Sequence, residues 1–299
     1  MNHNHVHTVS SGLHEMQVTL AMTATYMIAE VVGGYLTNSL ALLADAGHML
    51  SDVGSLTLSL LAMRFALKQR TQEMTYGYYR AEILAALVNG VTLVVVSIFI
   101  FYEAFQRFQL PPKVQSGPMI IVASIGLIVN LVSVLLLSKK KDTNLNVHSA
   151  FLHVLADTMG SVGAIAAGII MLMTGWYLAD PIISVVIGFL ILFSSWRVLK
   201  ESVMVLMEGT PNHIDINEIE TVIKSLPGVL NFHDLHVWTV TSGFISLSVH
   251  VNLHDCRSVE HSQSILNELR DILHEQFGIE HTTIQIEQGE PECSPPSTC

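Results

Sequence analysis

The stretch LADAGHMLSDVGSL, residues 43–56, decides how this chain is read, because it sets His48 and Asp52 four residues apart inside an apolar run. FLHVLADTMGSVG, residues 151–163, repeats the arrangement with His153 and Asp157. Ionisable residues are expensive at membrane depth, so where they occur they usually mark an ion or substrate path. A separation of four places each His and Asp on one helical face, about one turn apart. A single such pair could equally be an interhelical hydrogen bond. Two matching pairs offer two imidazoles and two carboxylates, a tetrahedral donor set for a divalent metal.

The composition fits a membrane setting. Half of the 299 residues are hydrophobic and 13% are charged, and the mean hydropathy of +0.49 is too apolar for an ordinary soluble chain. The formal net charge of -11 is concentrated toward the C-terminal end, where only Lys224, Arg257 and Arg270 are basic after Thr210. That acidity argues against nucleic acid as a partner and suits the handling of cations. The cysteines, Cys256, Cys293 and Cys299, are too few for a disulfide framework and lie far in sequence from the His/Asp pairs. MNHNHVHTVSSG at the start lacks a basic segment leading into an apolar core, so a cleaved leader is not expected.

Six segments are long and apolar enough to cross about 30 Å of hydrocarbon at 1.5 Å per residue. They are expected near Val18–Leu36, Leu40–Leu67, Ala81–Gln106, Pro118–Leu137, Val147–Thr174 and Pro181–Met204. Arg64, Lys68, Arg70 and Arg80 lie in or beside the second connection, Lys139, Lys140 and Lys141 lie in the fourth, and Arg197 and Lys200 lie near the end of the sixth span. The third connection has only Arg107 and Lys113, and the first and fifth have no Lys or Arg. The positive-inside rule then places both termini in the cytoplasm. In that topology spans two and five run antiparallel, with His48 level with Asp157 and Asp52 level with His153. Small residues around the pairs, including Ala44, Gly47, Ser51, Gly160 and Gly163, permit the close approach of helices that convergence requires.

Asp45 lies one turn before His48 on nearly the same face. It is expected to line a water-filled vestibule or to accept from the imidazole, with access-path carboxylate and proton carrier as further roles. Asn89, Asn130 and Glu103 are read as interhelical hydrogen-bonding or water-facing residues without a metal role.

After Glu208 the pattern becomes that of a small soluble domain. HIDINEIETVIKSL (213–226) has amphipathic helical spacing, and LNFHDLHVWTV (230–240) and FISLSVHVNL (244–253) alternate around a Thr-Ser-Gly turn. SVEHSQSILNELRDILHEQFG (258–278) reads as a helix opened by Ser258 and closed by Gly278, and HTTIQIEQ (281–288) as a last strand. The order α-β-β-α-β defines a compact two-layer, ferredoxin-like α+β module. The expected organisation is a cytoplasmic His-containing tail (1–15), a six-helix transmembrane domain (16–207), a cytoplasmic α+β domain (208–288) and a disordered tail (289–299).

Taken together, SLALLADAGHMLSDV (39–53), YGYYRAEILAALVNG (76–90), LNVHSAFLHVLADTMGSVG (145–163), ADPIISVVIG (179–188), FHDLHVW (232–238) and HTTIQIE (281–287) resemble, in collinear order, the cation diffusion facilitators. The resemblance is to the zinc/cobalt/cadmium-resistance subgroup of zinc exporters. It implies a homodimeric, proton-coupled antiporter in a bacterial cell membrane that moves a divalent transition metal out of the cytoplasm. It also implies a transport site at His48, Asp52, His153 and Asp157. The first of these positions is His in zinc-preferring members, and imidazole suits Zn²⁺ while Mn²⁺ prefers oxygen, so zinc is the expected substrate, with Cd²⁺ and Co²⁺ open.

The chain also departs from the family pattern. The loop RFALKQRTQEMTYGYYRAE (64–82) has no histidine, so the second metal site that some members carry there is not expected. The soluble domain of some bacterial members holds a binuclear zinc site that stabilises the dimer. The resemblance puts its positions here at His233, His250 and His261, while the late strand has Gln285 and Glu287. A site using His233, His236, His250, His254, His261 or Glu287 therefore stands beside the alternative of ordinary solvated residues. The resemblance further implies a charge interlock between Arg80 and Glu208. His3, His5 and His7 form an alternating tract that is either a metal collector or incidental. The rival classes are an intramembrane metalloenzyme, which lacks HExxH and an open coordination position here, and a membrane metal sensor. No resident cofactor is expected beyond the transported metal and the structural zinc.

Overall fold

Six long helices, then two helices and a three-stranded sheet, make up the computed structural model, which describes residues 5–66, 71–138, 145–254 and 259–288. The long helices are α1 (His5–Thr37), α2 (Leu40–Ala66), α3 (Arg80–Gln109), α4 (Ser116–Ser138), α5 (Leu145–Thr174) and α6 (Ala179–Leu206). Their bounds follow the expected spans closely, except that α1 begins at His5, well ahead of Val18. Three stretches among the described residues can cross a membrane by length and composition alone, namely Arg80–Gln109, Asp157–Thr174 and Ala179–Leu206; Ser116–Val132 is apolar but shorter. By contrast, α2 carries Asp45, His48, Ser51, Asp52 and Ser55 along its length. Large apolar side chains such as Phe99, Tyr102, Phe105, Met173 and Phe193 are exposed on these helices, the surface that hydrocarbon would cover.

The chain divides into two compact units, Met1–Leu67 with Ala85–Leu199, and Lys68–Leu84 with Lys200–Cys299. In the first unit small residues build the helix contacts. Ala41, Ala123, Ala164 and Ala167 pack with Leu42, Met119 and Met171, while Ala44 packs with Leu93, Ile100, Ile187 and Ile191. A Cβ added at Gly54 of α2 would collide with the Asn89 amide of α3, so this glycine is what admits the amide.

A polar knot fixes one end of this unit. Asn38, at φ 58, and Ser39 join α1 to α2. The Ser39 hydroxyl caps α2 by accepting from the Leu42 N–H at 3.2 Å. Asp180, fully buried in the first turn of α6, accepts from Ser39 Oγ at 2.7 Å and from the N–H groups of Leu40 at 2.8 Å and Ala41 at 3.1 Å. One helix thus supplies the anion that satisfies the orphan amides of another. Arg107 completes the knot, donating to Asp180 Oδ2 at 3.2 Å, to the Asn38 carbonyl at 2.7 Å and to Glu103 Oε1 at 3.0 Å.

In the second unit, α7 (Ile216–Ser225) starts at Asp215, whose carboxylate accepts from the Asn217 N–H at 2.8 Å. The strands β1 (Val229–Thr241) and β2 (Phe244–Leu253) pair antiparallel around a turn in which Gly243 takes φ 74. The chain then crosses through α8 (Val259–Phe277), and β3 (His281–Gln288) adds to β2 in parallel, giving the order β1-β2-β3. Alternation sends Leu247, Val249, Val251 and Leu253 to one face, where they pack on Ile219 and Ile223 of α7 and Ile265, Leu269 and Leu273 of α8. The opposite face of β2 carries Ser246, Ser248, His250 and Asn252.

The buried knot and an exposed pair should respond differently to charge removal. Replacing Arg107 with Met leaves the Asp180 carboxylate without its cation, and is expected to cost about 3 kcal/mol in thermal unfolding of the purified protein. Lys224→Met, which breaks only the exposed Lys224–Glu220 pair at 3.3 Å, should change stability by less than about 0.5 kcal/mol.

Candidate metal centres

Helices α2 and α5 meet through His48 and Asp157, whose Nε2 and Oδ1 atoms lie 2.9 Å apart. Both side chains are mostly buried, at 20% and 18% exposure. Asp52, one turn along α2, joins them: one ligand atom from each of His48, Asp52 and Asp157 lies within 4.8 Å of the others. Two carboxylates and one imidazole therefore converge on a volume a metal ion could fill. His153 lies one turn before Asp157 on α5; its side chain is outside the described residues. Asp45 is nearly buried at 6% exposure, and its Oδ1 would lie 3.2 Å from a Cβ at Gly160 of α5, so it sits against the same helix as Asp157.

A second cluster lies on the sheet. His233 of β1 is the cross-strand partner of His250 of β2, and their rings are 4.9 Å apart. The parallel register places Glu287 of β3 opposite Asn252, two residues along from the His250–Gln285 pair. Glu287 bridges both imidazoles, with His233 Nε2 at 3.1 Å and His250 Nδ1 at 2.9 Å, and accepts from Gln285 Nε2 at 2.8 Å. A bulge follows His233, with Asp234 at φ 51 and its carboxylate 3.5 Å from His233 Nδ1. The three ligand atoms of His233, His250 and Glu287 fall within 4.8 Å of one another. Among the described residues His236, His254 and His261 do not join this group. His261 lies instead in α8, beside Gly228.

Arg80 Nη2 donates to Glu208 Oε1 at 2.9 Å, but the side chains are 40% and 62% exposed, so the bond stands in water in the single chain. The two residues share the wall of a cavity of about 350 Å³ with Tyr76, Tyr79 and Trp238. The N-terminal histidine tract and Cys256, Cys293 and Cys299 lie outside the described residues, apart from the backbone of His5 and His7 in α1. Sequence reading passed over Glu30, a lone acid in the apolar stretch MIAEVVGG (27–34). An ionisable residue inside a span was the available signal. It also passed over Asp180 as a helix-capping anion, for which no sequence signal exists because the capped helix is remote in the chain.

A bundle of membrane helices with a His/carboxylate cluster inside it, followed by a metal-competent α+β domain, defines a membrane protein that handles metal cations. The cation efflux transmembrane domain family matches residues 16–207, and the cation efflux protein cytoplasmic domain family matches residues 211–289. The chain is 45% identical to the cadmium, cobalt and zinc/H(+)-K(+) antiporter of Bacillus subtilis, across 96% of this chain and 92% of that protein. It is 45% identical to the metal cation efflux system protein CzcD of Cupriavidus metallidurans, across 95% and 89% of the two chains. With the zinc transporter ZitB of Escherichia coli it shares 42% identity over 96% and 93%. A solved structure, the metal-bound C-terminal domain of the CzcD transporter from the same Cupriavidus species, is 44% identical, covering 25% of this chain and 99% of that one with a TM-score of 0.23. The chain belongs to the cation efflux family of membrane transporters, the cation diffusion facilitators.

The sheet cluster has a signed pH dependence. The hydrogen bond that His233 donates to the Glu287 carboxylate holds the imidazole above its ordinary 6.5. The same bond holds Glu287 below its ordinary 4.5, assisted by His250. The His233 contribution to stability is therefore complete below 6.5 and lost as pH rises through its raised folded value. The Glu287 contribution is present above 4.5 and lost as pH falls through its depressed value. In the metal-free protein, Glu287→Gln should bring the His233 titration, followed by imidazole NMR, back toward 6.5; an unmoved midpoint would contradict the assignment.

Proposed function

We propose that this chain exports divalent transition metal from the cytoplasm in exchange for protons, with zinc the preferred substrate and cadmium or cobalt as alternatives. The observation that carries the reading is the contact of α2 with α5, in which His48, Asp52 and Asp157 offer ligand atoms within 4.8 Å. His153, four residues before Asp157 on the same helix, supplies the fourth donor. A mixed set of imidazole and carboxylate suits zinc, and the likeness to the Bacillus, Cupriavidus and Escherichia transporters supports metal efflux.

Residues 16–207 translocate the ion, 208–288 form the cytoplasmic domain, and both termini face the cytoplasm of a bacterial cell, as the Lys and Arg content of the connections supports. In the inward-open state the deprotonated cluster binds metal, since ligands must shed protons to coordinate. The helices then rock to expose the cluster outward. There protons compete for the same groups, the metal leaves, and the protons return inward. The name of the Bacillus relative supports the proton exchange. Asp45, beside the cluster, lines the access path. His233, His250 and Glu287 hold a structural zinc across the three strands of the domain through which two copies pair, and Arg80 with Glu208 locks the neck of that dimer.

Radiolabelled zinc uptake into proteoliposomes, with and without a pH gradient, tests the reading. Wild-type protein should accumulate zinc only with the gradient, and Asp52→Ala or Asp157→Ala should lower the rate by more than about 10-fold. Full gradient-driven uptake by either variant would sink the assignment of the site.

A further inference from the structure

The transport cluster leaves one intramembrane acid unexplained. Glu30 lies on α1 with 0% exposure, and neither carboxylate oxygen is in hydrogen-bond geometry with any partner among the described residues. It interacts with the Tyr26 hydroxyl, one turn back on α1, and with the Asp45 carboxyl of α2, and the charge of Asp157 on α5 acts on it as well. The Tyr26 hydroxyl reaches the Val122 carbonyl of α4 at 3.4 Å and occupies the space where a Cβ at Gly126 would stand. Glycine at 126 therefore opens α4 to the tyrosine. Asp45 in turn is electrostatically engaged with His48, Asp52 and Asp157. Tyr26, Glu30 and Asp45 thus form a line of polar groups from the interior of α1 to the metal cluster. The remaining contact on this line, from α4, brings no charged side chain.

His48, the imidazole that acts on Asp45, is already bonded to Asp157, and no Lys or Arg is among the groups acting most strongly on Glu30 or Asp45. Two such carboxyls shut away from water cannot both be charged at low energy; a proton shared between them removes the conflict. We infer that Glu30 carries one of the exchanged protons on a group distinct from the metal ligands, with Asp45 relaying that proton to and from the cluster. In the metal-free state one proton resides on Glu30 and is shared with Asp45. When Zn²⁺ arrives next to Asp45, its two positive charges favour ionised carboxylates nearby. The O–H bond of Glu30 then breaks, the proton passes through Asp45 to water in the vestibule, and both acids are left as carboxylates facing the bound cation. Metal release reverses the sequence. The two cargoes are then coupled by repulsion between neighbouring sites as well as by competition for the same ligand atoms. This inference rests on the proton-exchange reading above and names the group that carries the proton.

The test uses the full-length purified chain and Zn²⁺. In weakly buffered detergent solution a pH indicator counts protons released as zinc binds, and proteoliposomes report zinc/zinc exchange and pH-driven accumulation separately. Glu30→Gln should bind zinc with unchanged stoichiometry and keep zinc/zinc exchange. It should release about one proton fewer per zinc and accumulate markedly less zinc under the pH gradient. Unchanged proton release and unchanged gradient-driven accumulation would overturn the inference. Wild-type protein that takes up zinc without response to a pH gradient would defeat the parent reading instead, and proton release in detergent would still decide for or against Glu30. Should Glu30→Gln not yield folded protein, Glu30→Asp decides by infrared spectroscopy: a displaced protonated-carboxyl band that vanishes on zinc addition supports the carrier, and an undisplaced band overturns it. Repeating the release measurement without potassium separates the cations, since release that requires potassium would assign the pocket to that ion and reject the proton.

Discussion

A carboxylate enclosed by apolar helices must find a cation, a proton or a row of N–H donors, and the transmembrane unit is organised around three solutions of that one constraint. Asp180 takes the amide and guanidinium route, closing the first turn of α2 while Arg107 binds the preceding turn. Asp157 takes the imidazole of His48. Glu30 faces another carboxyl and a phenol. The first arrangement has all its partners within the fold and acts as a fixed joint. The other two lack such a closed set of partners, and it is there that the proposed exchange of metal and proton is placed.

The joint and the cluster lie on the same helix. Asp180 fixes α2 at Leu40 and Ala41, and His48 follows two turns later, so the phase at which α2 presents its imidazole to α5 is set from its capped end. Small residues then let the helices come close enough for side chains to meet: Gly54 admits Asn89, and Gly160 admits Asp45. Substituents at these positions would push apart the groups whose convergence makes the site. Rigid seating at one end and close packing along the length are what the proposed metal site needs to hold its ligands in place.

Much of this was legible in the sequence. The long helices, the hairpin and the convergence of His48 and Asp52 with Asp157 follow from hydrophobic length, alternation and a spacing of four, all local patterns, while the side chain of His153 lies outside the described residues. β2 was expected at 244–253 and is observed there. Glu30 and Asp180 were not legible as functional groups, because their meaning comes from residues 15 and about 140 positions away. The sheet cluster was half legible. His233, His250 and Glu287 stood out as ligand types, but their union depends on the register of three strands and on the bulge at Asp234. His261, a candidate on composition, belongs to a helix that packs its apolar side on the sheet's other face.

The most direct test of the account is zinc X-ray absorption on the purified full-length protein carrying His233→Ala and His250→Ala, so that the bound metal reports the membrane cluster. The account predicts a four-coordinate shell of nitrogen and oxygen at about 2.0 Å, with the multiple-scattering signature of two imidazoles. A six-oxygen shell, a sulfur scatterer near 2.3 Å, or the absence of imidazole scattering would contradict it.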